Sequence, residues 1–279
     1  MPYVLGIDIG GTNTTAAVSR LTGNSWTRPE IVPLHPRSSA IPSTLRLAPN
    51  GTLTVDELAP FSPRADDGPV ARGFLRRVGD NVPMMVGDET WSPQALTAVL
   101  ATWVVDRVVA LEGGRHAAQI VLSHPAGWGT YRKELLHRAL WDAGLANVTL
   151  LPEPVNAAES HASRGFAGRV LAVHALGGES FAASVVRRTP AGVFELLGTM
   201  EGVDPLGGAD FDEALARHVR DRLSQQFRPA KPSDTVPLPA LVGPCAEAKR
   251  QLTVAAATVS CTCRRERPGC RSPGPSSSR

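Results

Sequence analysis

Residues 6–14 read Gly-Ile-Asp-Ile-Gly-Gly-Thr-Asn-Thr. An apolar run, Tyr3–Ile9, leads into the two glycines, and small and β-branched residues follow over Thr14–Ser19. This pattern predicts a β-hairpin with a glycine-rich polar tip. Glycines let backbone N–H groups approach phosphate oxygens closely, Thr12 adds a hydroxyl donor, and Asp8 suits magnesium held through water. An ordinary glycine hairpin with a capping aspartate fits the same residues, so the stretch by itself leaves phosphate binding open.

Composition and charge exclude several classes of protein. The chain has 279 residues, 42% of them hydrophobic and 20% charged, which is typical of folded globular proteins of about two domains. We expect no apolar run that approaches a membrane span and no signal peptide, and therefore a cytoplasmic protein without a membrane partner. The formal charge is +3, but residues 260–279 contribute +4 of it. Since the rest has no basic excess, we expect no nucleic-acid partner.

The C-terminal tail has an unusual composition. Past Val259 there is no aliphatic or aromatic residue, and Arg, Ser, Pro and Cys dominate, so we expect residues 260–279 to be disordered. A shifted or interrupted reading frame is one hypothesis for this run. Three of the four cysteines lie here with the spacing Cys-x-Cys-x6-Cys, which matches structural zinc sites poorly and favours incidental reduced thiols.

Hydrophobic periodicity predicts the remaining elements. A long amphipathic helix is expected over 93–112, because Ser92-Pro93 supplies an N-cap and a first-turn proline. The other predicted helices cover 130–143, 154–163, 210–223 and 245–253, and the other predicted strands 119–123, 148–151, 170–175, 181–188 and 193–199. A proline-rich connection is expected over 228–244.

Two further glycine pairs follow the first. Leu176-Gly177-Gly178-Glu179-Ser180 lies between two predicted strands, where it can bind the other side of the same phosphate chain. Leu206-Gly207-Gly208-Ala209-Asp210 opens a predicted helix, whose N-terminal N–H groups favour anions. Three such turns in one chain favour a phosphate site over an isolated hairpin.

The order and spacing of these segments resemble the ATPase domain of the seventy-kilodalton heat-shock chaperones, the DnaK-like members of the actin-like ATPase superfamily. Two more segments extend the resemblance: Leu151–Ala158 is similar to the family's Asn-Glu-Pro-Thr-Ala-Ala-Ala connection, and Ala248–Leu252 to its adenosine-contacting helix. The resemblance implies an α/β actin-like fold of two lobes, each with a mixed central sheet flanked by helices. The first lobe would cover 1–165 and a partial, incomplete second lobe 166–259.

The resemblance also implies a site, cofactors and partners. The cofactors would be ATP and magnesium, and the partners a nucleotide and a co-chaperone or client protein. Asp8 would hold magnesium through water, and Glu153 would help place magnesium and the attacking water. The phosphate-binding residues would be Gly10, Gly11, Thr12, Asn13, Gly177, Gly178, Ser180, Gly207 and Gly208, and the adenosine-binding residues Lys249, Arg250 and Thr253.

Three positions depart from the family pattern, and all of them affect catalysis. Ala175 and Ala182 stand where the family has aspartates, and Leu75 stands where its catalytic lysine aligns. Arg76 and Arg77 are candidate replacements for the lysine, although an arginine fork is not an ammonium point charge. We therefore expect Mg-ATP binding with weak or absent hydrolysis.

Two alternatives remain open. The first glycine stretch also resembles the ATP loop of sugar kinases of the repressor/kinase group, although neither a sugar-site aspartate nor that group's zinc motif is found. The other alternative is a non-catalytic interaction domain that keeps the fold and has lost the nucleotide.

Overall fold

The computed structural model describes residues 1–55, 68–202, 206–226 and 236–254. Its strands are β1 (Tyr3–Ile9), β2 (Asn13–Thr22), β3 (Ser25–Trp26), β4 (Glu30–Ile31), β5 (Ala40–Pro42), β6 (Thr44–Leu47), β7 (Leu53–Val55), β8 (Val70–Arg72), β9 (Met84–Val86), β10 (Glu89–Trp91), β11 (Gln119–His124), β12 (Val148–Pro152), β13 (Val170–Leu176), β14 (Phe181–Arg188) and β15 (Phe194–Glu201). Its α-helices are α1 (Pro93–Leu111), α2 (Thr130–Asp142), α3 (Glu153–Ala162), α4 (Gly208–Gln226) and α5 (Leu238–Val254), and a 3-10 turn covers Leu75–Arg77. The predicted tail, 260–279, lies outside these residues.

The glycine hairpin forms the centre of the largest sheet. β1 and β2 pair antiparallel with Ile9 opposite Thr14, which confirms the predicted hairpin. The strand order is β12-β11-β1-β2-β3, with β4 and β5 also paired to β2. β1 and β11 are parallel, as are β11 and β12, and such pairs require long connections, which contain α1 and α2. Because side chains alternate along β1, Ile7 and Ile9 are buried in the core while Asp8 is exposed on the opposite face.

Helix α1 forms the core against this sheet. Ser92 caps it by accepting a hydrogen bond from the Ala95 N–H at 3.3 Å, as predicted. At its end, Glu112 is nearly buried and receives two hydrogen bonds from the Arg20 guanidinium on β2, at 2.5 and 3.4 Å. This pair lowers the pKa of Glu112 and connects the helix to the sheet.

α1 corrects one sequence-based expectation. By length and composition it is apolar enough to cross a membrane, whereas the sequence analysis expected no such run. Of that span, 44% is buried inside the protein, and core positions such as Leu96, Leu100 and Val104 are fully buried. A core helix of this kind passes the same test, so the finding is weak evidence for a membrane.

A second, three-stranded sheet carries the second glycine turn. Its order is β13-β14-β15, antiparallel throughout. Helix α3 packs on one face, where Val155 and Ala158 form a small core with Val186 and Phe194. The structure is thus a mixed α/β architecture consistent with the actin-like ATPase fold. β12 leads directly into α3, so the end of the large sheet places Glu153 next to the second sheet.

The chain divides into two compact units, Met1–Gly208 and Ala209–Arg279. In the described part of the second unit, Ala216 of α4 packs with Leu241 and Cys245 of α5. Helix α5 starts at Leu238, so the predicted connection over 228–244 is wrong from that residue onward. Pro239 lies in the first helical turn, where the N–H groups have no partner within the helix, whereas Pro244 lies inside the helix. The lobe boundaries expected at 165 and 259 stay predictions.

Candidate functional site

The tip of the first hairpin is tightly closed. The Gly10 N–H donates to the Asn13 carbonyl at 2.9 Å, and a Cβ on Gly10 would lie 3.0 Å from that oxygen. Thr12 and Asn13 are exposed at the tip, where the Thr12 carbonyl accepts from the Ser43 N–H at 2.9 Å. The Thr12 and Asn13 side chains therefore lie at the surface, whereas the Gly10 N–H is used within the turn.

The three predicted glycine turns converge. The Gly177 N–H donates to the Ser180 carbonyl at 2.7 Å, which closes the second turn, and the Gly208 N–H donates to the Gly177 carbonyl at 2.9 Å. A Cβ on Gly178 would overlap the Thr12 hydroxyl, and a Cβ on Gly207 would lie 2.5 Å from the Gly178 carbonyl. Only glycine permits backbones to approach this closely, so the sequence requires glycine where the loops meet.

A cleft of about 590 Å³, including its open mouth, lies beside the first two turns. Its lining contains Arg76, Glu153 and Ser180, which the sequence analysis singled out. It also contains all three positions that depart from the family pattern, namely Leu75, Ala175 and Ala182. The structure therefore places the first two glycine turns and the departures around one cleft.

Strand register places two of the departures side by side. Ala175 on β13 and Ala182 on β14 are directly opposite partners, so their side chains share one face of the second sheet. Leu75 is buried, 3% exposed, and lies in the 3-10 turn at the cleft wall. Where charged groups are expected, the cleft thus presents apolar side chains.

The structure distinguishes the two arginine candidates. Arg76 lines the cleft, and its guanidinium donates to the Glu179 carbonyl of the second glycine turn at 2.8 Å. Arg77 is directed elsewhere and pairs with Asp80 at 3.2 Å. Arg76 is therefore the arginine available to an anion in the cleft.

The acidic side chains of the site influence one another. The pKa of Glu153 is raised to about 7, chiefly by burial and to a smaller extent by the negative charges of Asp8 and Glu201. The positive charge of Arg76 lowers this pKa but does not outweigh them. Asp8 accepts a hydrogen bond from the Ser123 hydroxyl. In the described parts of the chain, no group of three or more His, Cys, Asp or Glu side chains is close enough to hold a metal directly. Magnesium held by Asp8 through water, as the sequence predicts, is compatible with this spacing.

Sequence reasoning missed Glu201 in this site. It lines the cleft at the end of β15, and its Oε1 accepts a hydrogen bond from the Gly127 N–H at 3.2 Å. The predicted strand ended at Thr199, two residues short, so the residue was not placed on the sheet. The available signal was its position on the same strand face as Thr199.

The predicted adenosine-binding residues lie on α5 in the second unit. Lys249 pairs with Asp212 of α4 at 2.7 Å, and Arg250 pairs with Glu247 at 2.5 Å. The side chain of Thr253 lies outside the described residues. Contact of these residues with adenosine stays a prediction.

The family model for Hsp70 protein matches residues 76–265, which is more than half of the chain. The chain belongs to the Hsp70 family. This match confirms the resemblance found in the sequence, and its residues include most of the cleft lining, among them Arg76, Glu153, Ser180 and Glu201.

Individual relatives agree with the family match. The chaperone proteins DnaK of Thermotoga petrophila, Thermotoga maritima and Thermotoga neapolitana are each 26% identical to the chain over 230 residues, which is 80% of this chain. The chain spans only 37% of the length of these relatives. The two comparisons thus agree on membership of a chaperone family.

Proposed function

We propose that the chain is a DnaK-like nucleotide-binding domain, cytoplasmic, that binds Mg-ATP in the cleft and hydrolyses it weakly or not at all. The observation that carries this proposal is that three glycine turns pack together and that the first two border a cleft whose described lining contains Arg76. Family membership makes ATP and magnesium the expected cofactors. A co-chaperone or client protein as partner is proposed on the same basis.

The cleft fits a nucleotide phosphate chain in its donors and charge. At the tip, Gly11, Thr12 and Asn13 are proposed to offer backbone N–H groups and the Thr12 hydroxyl, while the Gly10 N–H holds the turn closed on the Asn13 carbonyl. The second turn adds Ser180. The glycines where the loops meet allow these turns to pack closely against one another, which brings their donors to one place. Arg76 supplies a planar fork suited to phosphate oxygens.

The acidic residues suit a magnesium ion that travels with the nucleotide. Asp8 is oriented by Ser123, and Glu153 stands at the start of α3 beside the cleft. When bound, magnesium would neutralise part of the phosphate charge and polarise the transferred group. The role of these residues is to hold water and to position the ion.

Weak hydrolysis follows from the apolar wall of the cleft. Phosphoryl transfer depends mainly on positioned charges, and Leu75, Ala175 and Ala182 provide none. Arg76 supplies a positive charge in place of the lysine, but its guanidinium is a planar fork and one of its N–H groups already donates to the Glu179 carbonyl of the second turn. Binding can therefore persist while the chemical step is slow.

Calorimetric titration with Mg-ATP, together with an assay for released phosphate, tests this proposal. We expect the wild-type protein to bind with little turnover. Arg76→Ala should weaken binding at least about tenfold, because a charge-assisted contact to phosphate is lost. Arg77→Ala is the matched control, since its side chain pairs with Asp80, and it should change affinity less than about twofold.

Three results would contradict the proposal. No heat with a folded wild-type protein would favour an interaction domain that has lost the nucleotide. ADP release that depends on an added sugar would favour a sugar kinase. Equal losses in Arg76→Ala and Arg77→Ala would remove Arg76 from the phosphate site.

A further inference from the structure

Glu201 occupies the row of the second sheet in which the two alanines lie. Ala175 pairs with Ala182 across β13 and β14, and Ala182 pairs with Glu201 across β14 and β15. Directly opposite residues on neighbouring strands share a face, with Cβ atoms roughly 5 Å apart. All three line the cleft. The row therefore contains one carboxylate, on the strand next to that of Ala182 and two strands from that of Ala175.

The Glu201 side chain is held in place from the other side of the cleft. Its Oε1 accepts the Gly127 N–H at 3.2 Å, and a Cβ on Gly127 would lie only 2.7 Å from that oxygen. The loop before α2 therefore provides both a donor and the space for the carboxylate. Among the described residues the Glu201 carboxylate accepts no other hydrogen bond, so its second oxygen is available to water in the cleft.

The carboxylates near Glu201 favour binding of a cation. Glu153 interacts with the like charges of Asp8 and Glu201, and Arg76 is the only Lys or Arg among the described residues of the cleft lining. Carboxylate oxygens and water are the ligands that magnesium prefers, and magnesium usually keeps several waters. The three carboxylates are too far apart to hold a metal directly, at least within the described residues, so contact through water is the arrangement that fits.

We propose that Glu201 is a positioning residue for magnesium: its carboxylate accepts hydrogen bonds from water bound to the ion, in the row where Ala175 and Ala182 carry none. This inference rests on the proposed Mg-nucleotide function. It assigns the role to a residue on β15, outside the glycine turns and the segment that contains Glu153.

The test compares ADP affinity in excess magnesium with ADP affinity in EDTA, by calorimetry. ADP is used so that turnover does not contribute. Glu201→Gln keeps an acceptor for the Gly127 N–H but removes the charge, and we expect it to reduce the magnesium enhancement about tenfold. Affinity in EDTA should stay within about twofold of wild type, and Glu201→Asp should retain part of the enhancement.

Two further variants separate positioning from folding. Glu195→Gln is the matched control on the same strand, where Glu195 pairs with Arg187 at 2.6 Å and is outside the cleft. It should leave the magnesium enhancement unchanged. Gly127→Ala keeps every charge but displaces the Glu201 carboxylate, and it should reduce the enhancement as well.

The outcomes distinguish this inference from the proposed function. A folded wild-type protein that does not bind ADP overturns both. Wild-type binding that magnesium does not strengthen, or an enhancement equal in wild type and Glu201→Gln, overturns the role of Glu201 and leaves nucleotide binding intact. Equal loss of affinity with and without magnesium would also overturn it, because that result shows a general structural effect.

Discussion

Replacement of Glu153 by glutamine should stabilise the folded protein at alkaline pH. Burial and the neighbouring carboxylates hold the pKa of Glu153 at about 7, against an ordinary value of 4.5. Keeping this carboxylate ionised in the folded state therefore costs about 3 kcal/mol. Glutamine removes this cost but gives up roughly 0.5 kcal/mol of interaction with the N-terminus of α3, so the expected net gain is about 2–3 kcal/mol.

The sign of the pH dependence follows from the raised pKa. Below 4.5 the carboxyl is protonated in both the folded and the unfolded chain, so the cost is absent. Between that value and about 7 the unfolded chain releases its proton while the folded chain keeps it, so the free energy of unfolding falls as the pH rises. Urea denaturation at about pH 8 and about pH 5 measures this change.

The control for Glu153→Gln is Glu134→Gln, a change at an exposed position on α2. It should alter the free energy of unfolding by less than about 0.5 kcal/mol at either pH. The reasoning is refuted if Glu153→Gln is no more stable than wild type at about pH 8. It is also refuted if the gain persists unchanged in acid.

Three further predictions concern stability. Glu112→Gln breaks its ion pair with β2 and should cost about 2 kcal/mol at neutral pH; because the pKa of Glu112 is lowered, this contribution is present above the unfolded pKa and should vanish in acid. Leu140→Ala leaves a cavity at a fully buried position and should lower the free energy of unfolding, measured by urea denaturation, by about 3 kcal/mol. A loss of less than about 1 kcal/mol would contradict the burial of Leu140. Gly178→Ala should lower the melting temperature, because its Cβ overlaps the Thr12 hydroxyl, whereas Gly198→Ala, which meets open space, should not.

Local patterns were sufficient for most elements. The hairpin of β1 and β2, the capped helix α1 and the strands of the second sheet follow from alternation, helical spacing and turn residues, which act between residues close in the chain. The start of α5 was missed because its prolines favour a connection, whereas the burial of Leu241 and Cys245 favours the helix. Packing between helices is a long-range effect that a local pattern does not contain.

The candidate site divides in the same way. The glycine turns, Asp8 and Glu153, together with the missing charges at Leu75, Ala175 and Ala182, were identified from the sequence, because each belongs to a contiguous motif. Only the folded chain shows that the first two glycine turns, Glu153 and the three altered positions border one cleft. The contacts of the folded chain also favour Arg76 over Arg77, and the pairing of β14 with β15 adds Glu201. A sequence can show which chemistry a segment carries, but distances between segments depend on how the strands pair, and that is decided only in the folded chain.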